Sequence, residues 1–253
     1  HFFAGFSGGR KSVLPGVAAR ETVLANHCSE FIQSPYARTG NLANNPIHCD
    51  MVFAANRANL AFILNVVING EKKIVKAFAG DRVAAHEAGC TFLKNACRVA
   101  VPEADIVVTS NGGYPLDQNV YQSVKGMTSG EAVCREGGVI ILAASCSDGH
   151  GGAAFYKVLK ECASAQALLD SIADIPRDKT TPDQWQYQIL ARILAKYKVI
   201  MVTEDCDHGM IRDMKMDVAS TIDEALQIAY QYVGDSARVA VIPDGVSVIA
   251  EKI

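Results

Sequence analysis

Residues 1–16 read HFFAGFSGGRKSVLPG. The stretch holds three close-spaced glycines (Gly5, Gly8 and Gly9), a lysine (Lys11) and a hydroxyl beside it (Ser12). These are the groups that handle phosphate. Backbone N–H groups of a glycine-rich turn converge on an anion when a helix begins just after, and a lysine adds a mobile charge. The P-loop pattern GxxxxGKS/T is not met, because the gap from Gly5 to Gly9 is one residue short and Arg10 intrudes before Lys11. Spacing alone leaves a structural glycine turn or a phosphate-binding module of another kind.

Other residues could also carry chemistry. In NGGYPLDQNVYQSVKGM (111–127), Lys125 lies four residues beyond Tyr121 and three beyond Gln122. On a helix that spacing gathers all three near one face. A preceding strand and glycine-rich turn set such a face at the carboxyl end of a sheet, where α/β folds bind ligands. Taken singly, each residue has an ordinary reading. A lone lysine on an amphipathic helix is usually solvated. A lone histidine after a helix, such as His27, is usually a surface or capping residue. Trp185, the only tryptophan, either walls a pocket or packs in the core, and core is the ordinary place. IHCD (47–50) and EDCDH (204–208) group His, Cys and Asp, but neighbouring side chains point apart and rarely make a tetrahedral metal site. SDGHGG (147–152) is a candidate for a second glycine-rich anion site, with His150 near substrate or cofactor.

The elements that must position these groups follow from patterning. A helix is expected after Pro15-Gly16 and another over 46–60. LAFILNVVI-NG-EKKIVKAFAG (60–80) reads as a hairpin turning at Asn69-Gly70, a pair that tolerates positive φ. A helix follows over 81–100. Beyond Pro102 continuous apolar runs at 105–110, 137–145, 198–204 and 237–243 suggest strands covered on both faces. Helices are expected between them at about 117–136, 151–173, 182–196 and 221–233. The fold class is α/β: a layered domain with a largely parallel or mixed sheet over 98–253, preceded over 1–97 by the C-terminal portion of a second, cofactor-binding α/β domain.

Composition narrows the class. The 253 residues are 49% hydrophobic, enough for a sizeable core. The 24 basic and 27 acidic residues show no long run of either sign, which gives no electrostatic reason for a nucleic acid or an anionic membrane as partner. The longest apolar runs are strand-sized and too short to span a bilayer. Eight irregularly spaced cysteines without a CxxC pair fit a reduced cytoplasmic protein. The start, with no initiator methionine and a motif at once, reads as a truncation or cleavage point.

The opening stretch, followed by ANHC (25–28), resembles the nickel-dependent lactate racemase family, whose signature is HxxAGxSGGRKSxLPG. The resemblance continues through 111–127 and through PDQW (182–185), and covers essentially the whole chain. It implies that His1 is a catalytic histidine. It implies that Lys11, in the loop with Gly8 and Gly9, is covalently joined to a nickel pincer nucleotide, a sulfur-bearing pyridinium mononucleotide, and that His27 is a nickel ligand. Tyr121, Gln122 and Lys125 would be active-site residues and Trp185 would lie near the cofactor. In the family, a preceding part supplies a second catalytic histidine and an arginine for the substrate carboxylate. The implied activity is interconversion of the enantiomers of lactate or another small-molecule 2-hydroxy acid. The alpha hydrogen would leave as hydride and return on the other face, with cofactor-biosynthesis enzymes as partners. This stretch alone would then be inactive. The alternatives are an epimerase of a larger 2-hydroxy acid by the same mechanism, or a non-enzymatic nucleotide or phosphate module on the Gly5–Ser12 loop.

Overall fold

The apolar runs beyond residue 102 form strands; at 105–110, 137–145 and 198–204 their continuity reflects burial on both faces, whereas the run at 237–243 is an edge strand of the sheet and leaves Val241 exposed. The computed structural model describes residues 1–253. It divides into a unit of His1–Arg98 with Ile175–Thr181 and a unit of Val99–Asp174 with Pro182–Ile253. The 98–253 stretch is therefore interrupted, because the segment with the short 3-10 turn Arg177–Lys179 packs against the first unit's helix Arg20–Asn26.

The first unit holds α1 (Arg20–Asn26), α2 (Ser29–Gln33), α3 (Pro46–Arg57), the antiparallel hairpin β1 (Ile63–Ile68) and β2 (Ile74–Gly80), and α4 (Ala84–Cys97). Asn45 starts α3: its Oδ1 accepts from Ile47 N and His48 N, and Pro46 takes the first helical position, where a missing N–H costs nothing. The hairpin forms where expected, but the left-handed residue differs. Lys72 has φ 62°, while Asn69 accepts from Glu71 N and Lys73 N through Oδ1. An Asx side chain that bonds its own turn lets the positive φ fall elsewhere.

The second unit contains β3 (Arg98–Val101), β4 (Ala104–Ser110), α5 (Val120–Val133), β5 (Cys134–Ala143), α6 (Ala153–Glu161), α7 (Ala165–Ala173), α8 (Gln184–Leu194), β6 (Lys198–Val202), α9 (His208–Asp213), β7 (Asp217–Ala219), α10 (Ile222–Val233), β8 (Val239–Ile242) and β9 (Ile249–Lys252). Five strands make one sheet in the order β7-β6-β5-β4-β8, every pairing parallel. Successive strands step outward from β4 to β7, and the chain then crosses back to set β8 on the other side of β4. The expected helix over 151–173 is two helices. Ser164 breaks it, because its hydroxyl accepts from Ala167 N and starts α7 instead. The four-residue strands β3 and β9, the three-residue β7 and the six-residue α9 are too short to show a period that could be read from sequence.

Alternation on β5 explains the two-sided burial. Val139 and Ile141 join Ile106, Ile200 and the α10 residues Ala225 and Ala229 in one core cluster. Ile140 and Leu142 face the other way, onto α5, where Gly130 and Gly126 leave room for them. A Cβ on Gly126 would lie 2.7 Å from Ser110 O and 2.9 Å from both Asn111 Oδ1 and Leu142 Cδ1. Gly126→Ala should therefore destabilise by about 1–3 kcal/mol, outweighing the ~1 kcal/mol gain in helix propensity. At Gly70 an added Cβ would meet nothing within 4 Å, so alanine there should change stability by between zero and about +1 kcal/mol. Calorimetric unfolding of both variants checks the contrast.

Candidate active site

The opening loop is folded around one buried side chain. Arg10 is 3% exposed. It donates from Nη2 to Ala4 O (2.8 Å) and from Nη1 to Ser7 O (3.4 Å), Gly8 O (3.3 Å) and His86 Nε2 (2.6 Å). The short 3-10 turn Gly9–Ser12 carries Lys11. Gly8 and Gly9 have φ of 79° and 52°. A Cβ at Gly8 would lie 2.9 Å from Asn65 Oδ1, and one at Gly9 would lie 2.8 Å from the His86 ring. Both positions thus need glycine for backbone angle and for close approach.

This geometry is not a phosphate cradle of the P-loop kind. Gly9 N donates to Asn65 Oδ1 (2.9 Å), Lys11 N to Gly8 O (3.1 Å) and Val13 N to Arg10 O (3.1 Å), while the Ser12 hydroxyl donates to Gly9 O (2.8 Å). The donors that an anion would use are turned inward.

The two histidines flank one phenylalanine. The Phe3 ring, 2% exposed, meets His1 edge-on at 4.4 Å between centroids and His27 edge-on at 5.1 Å. Asn45, fully buried, holds Phe3 by donating to its carbonyl (2.8 Å). Each ring's tautomer follows from its backbone partner. Ala4 N–H donates to His1 Nδ1 (3.2 Å), so a neutral His1 carries its proton on Nε2. His27 Nδ1 lies 2.9 Å from Val23 O, a group that can only accept, so the proton sits on Nδ1 and the lone pair on Nε2. Burial, opposed by that hydrogen bond and aided by the Lys11 charge, depresses the His27 pKa to about 4. A buried neutral imidazole with its lone pair on Nε2 is the form that binds a metal, and Lys11 stands close enough for its charge to act on it.

The second unit gathers the remaining residues expected at the site. Tyr121, Gln122 and Lys125 lie on the first turns of α5. Lys125 Nζ donates to Gln122 Oε1, and burial lowers the Lys125 pKa. Tyr121 hydrogen-bonds both Asp183 and Trp185. Burial, then the Asp183 carboxylate, pushes its pKa up, and the Trp185 bond partly offsets the rise. Trp185 is half-buried rather than a core residue: its indole is engaged by the Tyr121 phenol at the start of α8.

Glycine-rich 147–152 serves α5 from the other direction. Gly149 O accepts from Val120 N (3.0 Å) and His150 O from Tyr121 N (3.2 Å), while Asn119 Oδ1 accepts from Gln122 N (3.0 Å). Carbonyls, not a bound anion, satisfy the helix start. His150 stacks on Tyr156 at 5.1 Å. The His/Cys/Asp clusters also have local partners. Asp50 accepts from Asn26 (2.9 Å), Asp207 caps α9 by accepting from Gly209 N (2.7 Å), and His208 Nε2 lies 3.0 Å from Thr203 O.

Sequence reading missed Arg10, Asn45, Asn65, His86 and Asp183. Only Asn45 had a local signal, standing before Pro46 at a helix start. The others act across long separations. His86 gives a direct check on this arrangement. It is 5% exposed, and burial first, then the Arg10 charge, holds its pKa at about 4 against ~6.5 unfolded. Between those values the unfolded chain takes up a proton that the folded chain refuses. The stabilisation is therefore complete above pH ~6.5 and is lost as pH falls toward 4, at up to about 1.4 kcal/mol per pH unit. Urea unfolding from pH 7 to 5 should show a slope to which His27 and His48 also contribute, and His86→Gln, which keeps an acceptor for Arg10 but does not titrate, should reduce it by the His86 share.

Comparison with known proteins places this geometry. The family model for the lactate racemase C-terminal domain matches residues 99–250, and that for the lactate racemase N-terminal domain matches 1–40. The chain is 60% identical over 252 residues to the lactate racemase of Thermoanaerobacterium thermosaccharolyticum, covering 100% of this chain and 59% of that protein. It is 55% identical over 251 residues to the lactate racemase of Lactiplantibacillus plantarum, covering 99% and 59%. It thus spans about three-fifths of the length of these curated relatives. The solved structure of the lactate racemase apoprotein from T. thermosaccharolyticum superposes with a TM-score of 0.98 at 60% identity, over 100% of this chain and 60% of that one. On family model, identity and fold together, the chain belongs to the lactate racemase family.

Proposed function

We propose that the whole protein interconverts the enantiomers of a 2-hydroxy acid, lactate before others, with a nickel pincer nucleotide joined to Lys11. The observation that carries this reading is His27: buried, neutral, its Nδ1 proton committed to Val23 O, and within reach of the Lys11 charge. That is a single imidazole donor suited to a late divalent metal beside a lysine tether, and the cofactor's soft sulfur and carbon donors would supply the rest. Lys11 and His27 would hold the group, with Gly8 and Gly9 letting the loop approach His86 and Asn65. When bound, the group would supply an electron-poor pyridinium able to accept the alpha hydrogen as hydride.

The chain's own residues have the remaining tasks. With Nδ1 held by Ala4 N–H, neutral His1 presents an Nε2 proton to the substrate oxygen and acts as the acid; to take the hydroxyl proton at Nε2 it must first release Ala4 N–H and carry its own proton on Nδ1. Racemisation needs an acid/base on each face of the planar ketone, so a second such group is expected in the rest of the protein. In the second unit, Lys125, its charge disfavoured by burial and its ammonium fixed by Gln122, offers a cation for a carboxylate or an alkoxide. Tyr121 stays protonated, its oxygen accepting from the Trp185 indole N–H and its hydroxyl donating to Asp183. Nothing among these residues reads the substrate beyond its alpha carbon, which keeps an epimerase of a larger 2-hydroxy acid as the second reading; a substrate panel separates the two. Loading would depend on the enzymes that build the cofactor. Eight free thiols suit a reducing cytoplasm, and no helix is long and apolar enough to cross a membrane.

Intact mass decides the tether. Full-length protein made together with the cofactor-building enzymes should carry a sulfur- and nickel-containing adduct that is absent from Lys11→Ala. His27→Ala should retain the organic adduct and lose nickel. An unmodified mass in the parent protein would remove the covalent group and the hydride route with it. The 253-residue chain alone, assayed under the same conditions, should not turn over lactate.

A further inference from the structure

A cavity of about 110 Å³ lies between α3 and α4, lined in part by Arg10, His48, Asn56, Arg82, His86 and Glu87. Its floor is electrically unbalanced. Arg10 is 3% exposed and permanently charged, yet all its acceptors are neutral: three backbone carbonyls and an imidazole. Its Nε is buried with no acceptor. His48, stacked at 6.3 Å on His86, also has a buried Nδ1 without a partner. Arg82, at the rim, donates to Asn56 Oδ1 (2.9 Å) and Leu60 O (3.2 Å), again neutral acceptors. The cavity also adjoins the positive end of the 14-residue α4. Glu87 is the one acidic residue of the lining, and it stands exposed. Burial, then the Arg10 charge and His86, holds His48 neutral, at about 4.

Buried charges are paired, and buried donors find acceptors. We propose that this cavity is an oxyanion site, taking a carboxylate or phosphate group of about the size of inorganic phosphate between Arg10, His48 and Arg82. The site is distinct from the Lys11 and His27 groups and does not depend on the reading given to them. The oxyanion could arrive free or as the phosphate of a nucleotide, and a two-armed titration tells these apart.

The first arm is thermal unfolding of the full chain titrated with inorganic phosphate, ionic strength held constant with chloride. The expected result is a saturable rise in Tm. Arg82→Ala should weaken the apparent affinity at least tenfold and His48→Leu severalfold, while Lys11→Ala should bind as the parent does. Both arginine and histidine variants alter partly exposed positions, so folding should survive. By NMR, phosphate should raise the His48 pKa, because an anion offsets the Arg10 field. In the second arm, a pyridinium mononucleotide that binds more tightly than phosphate with the same Arg82 dependence identifies a nucleotide phosphate; equal or weaker binding identifies a free oxyanion. A shift that does not saturate, or one with the same midpoint in the parent, Arg82→Ala and His48→Leu, overturns the proposal.

Discussion

The arrangement of the first unit depends on one buried guanidinium. Arg10 ties three carbonyls of its own loop to His86 on α4, and the loop's path follows from those four bonds. Because the charge cannot be shed, the backbone must bring acceptors to it. The same bonds drive the close approach that only glycine permits at positions 8 and 9. They also force His86 to accept at Nε2, so it must be neutral when the loop is in place.

A parallel logic holds the second unit's groups. A helix start leaves N–H groups without partners. At α5 these are met by Asn119 and by the carbonyls of a glycine-rich loop, which brings 149 and 150 against 120 and 121. The cap therefore fixes the orientation of Tyr121, Gln122 and Lys125 as well as the helix. The Tyr121 phenol is then locked by Asp183 and Trp185 at the start of α8. Side chains with chemical potential here are oriented by partners whose own role is structural.

Much of this was legible in the residues. The continuous apolar runs of β4, β5 and β6 announced a sheet covered on both faces, and the helices between them fitted a largely parallel or mixed sheet, which the structure makes parallel throughout. The hairpin at 63–80 announced itself by β-prone runs around Asn69-Gly70. The short elements β3, β7, β9 and α9 were not legible, because three to six residues are too few to show a period. Ser164 splits a stretch whose apolar periodicity alone reads as one helix, since a serine within such a stretch can cap as readily as continue.

For the site, sequence determined residue types and spacing: a glycine turn with Lys11, a histidine at 27, and Tyr121, Gln122 and Lys125 on one helical face. Those depend on separations of a few residues, which local geometry converts directly into neighbours. Tertiary structure alone decided the rest. Arg10, which as sequence only disrupts a phosphate-loop pattern, becomes the anchor because His86, 76 residues away, meets it. The His27 tautomer is set by a carbonyl one turn back, but its neutrality is set by burial against the rest of the unit. Trp185 is drawn out of the core by a phenol 64 residues upstream. Burial and long-range hydrogen bonding are properties of the packed chain, and no spacing along it encodes them by itself.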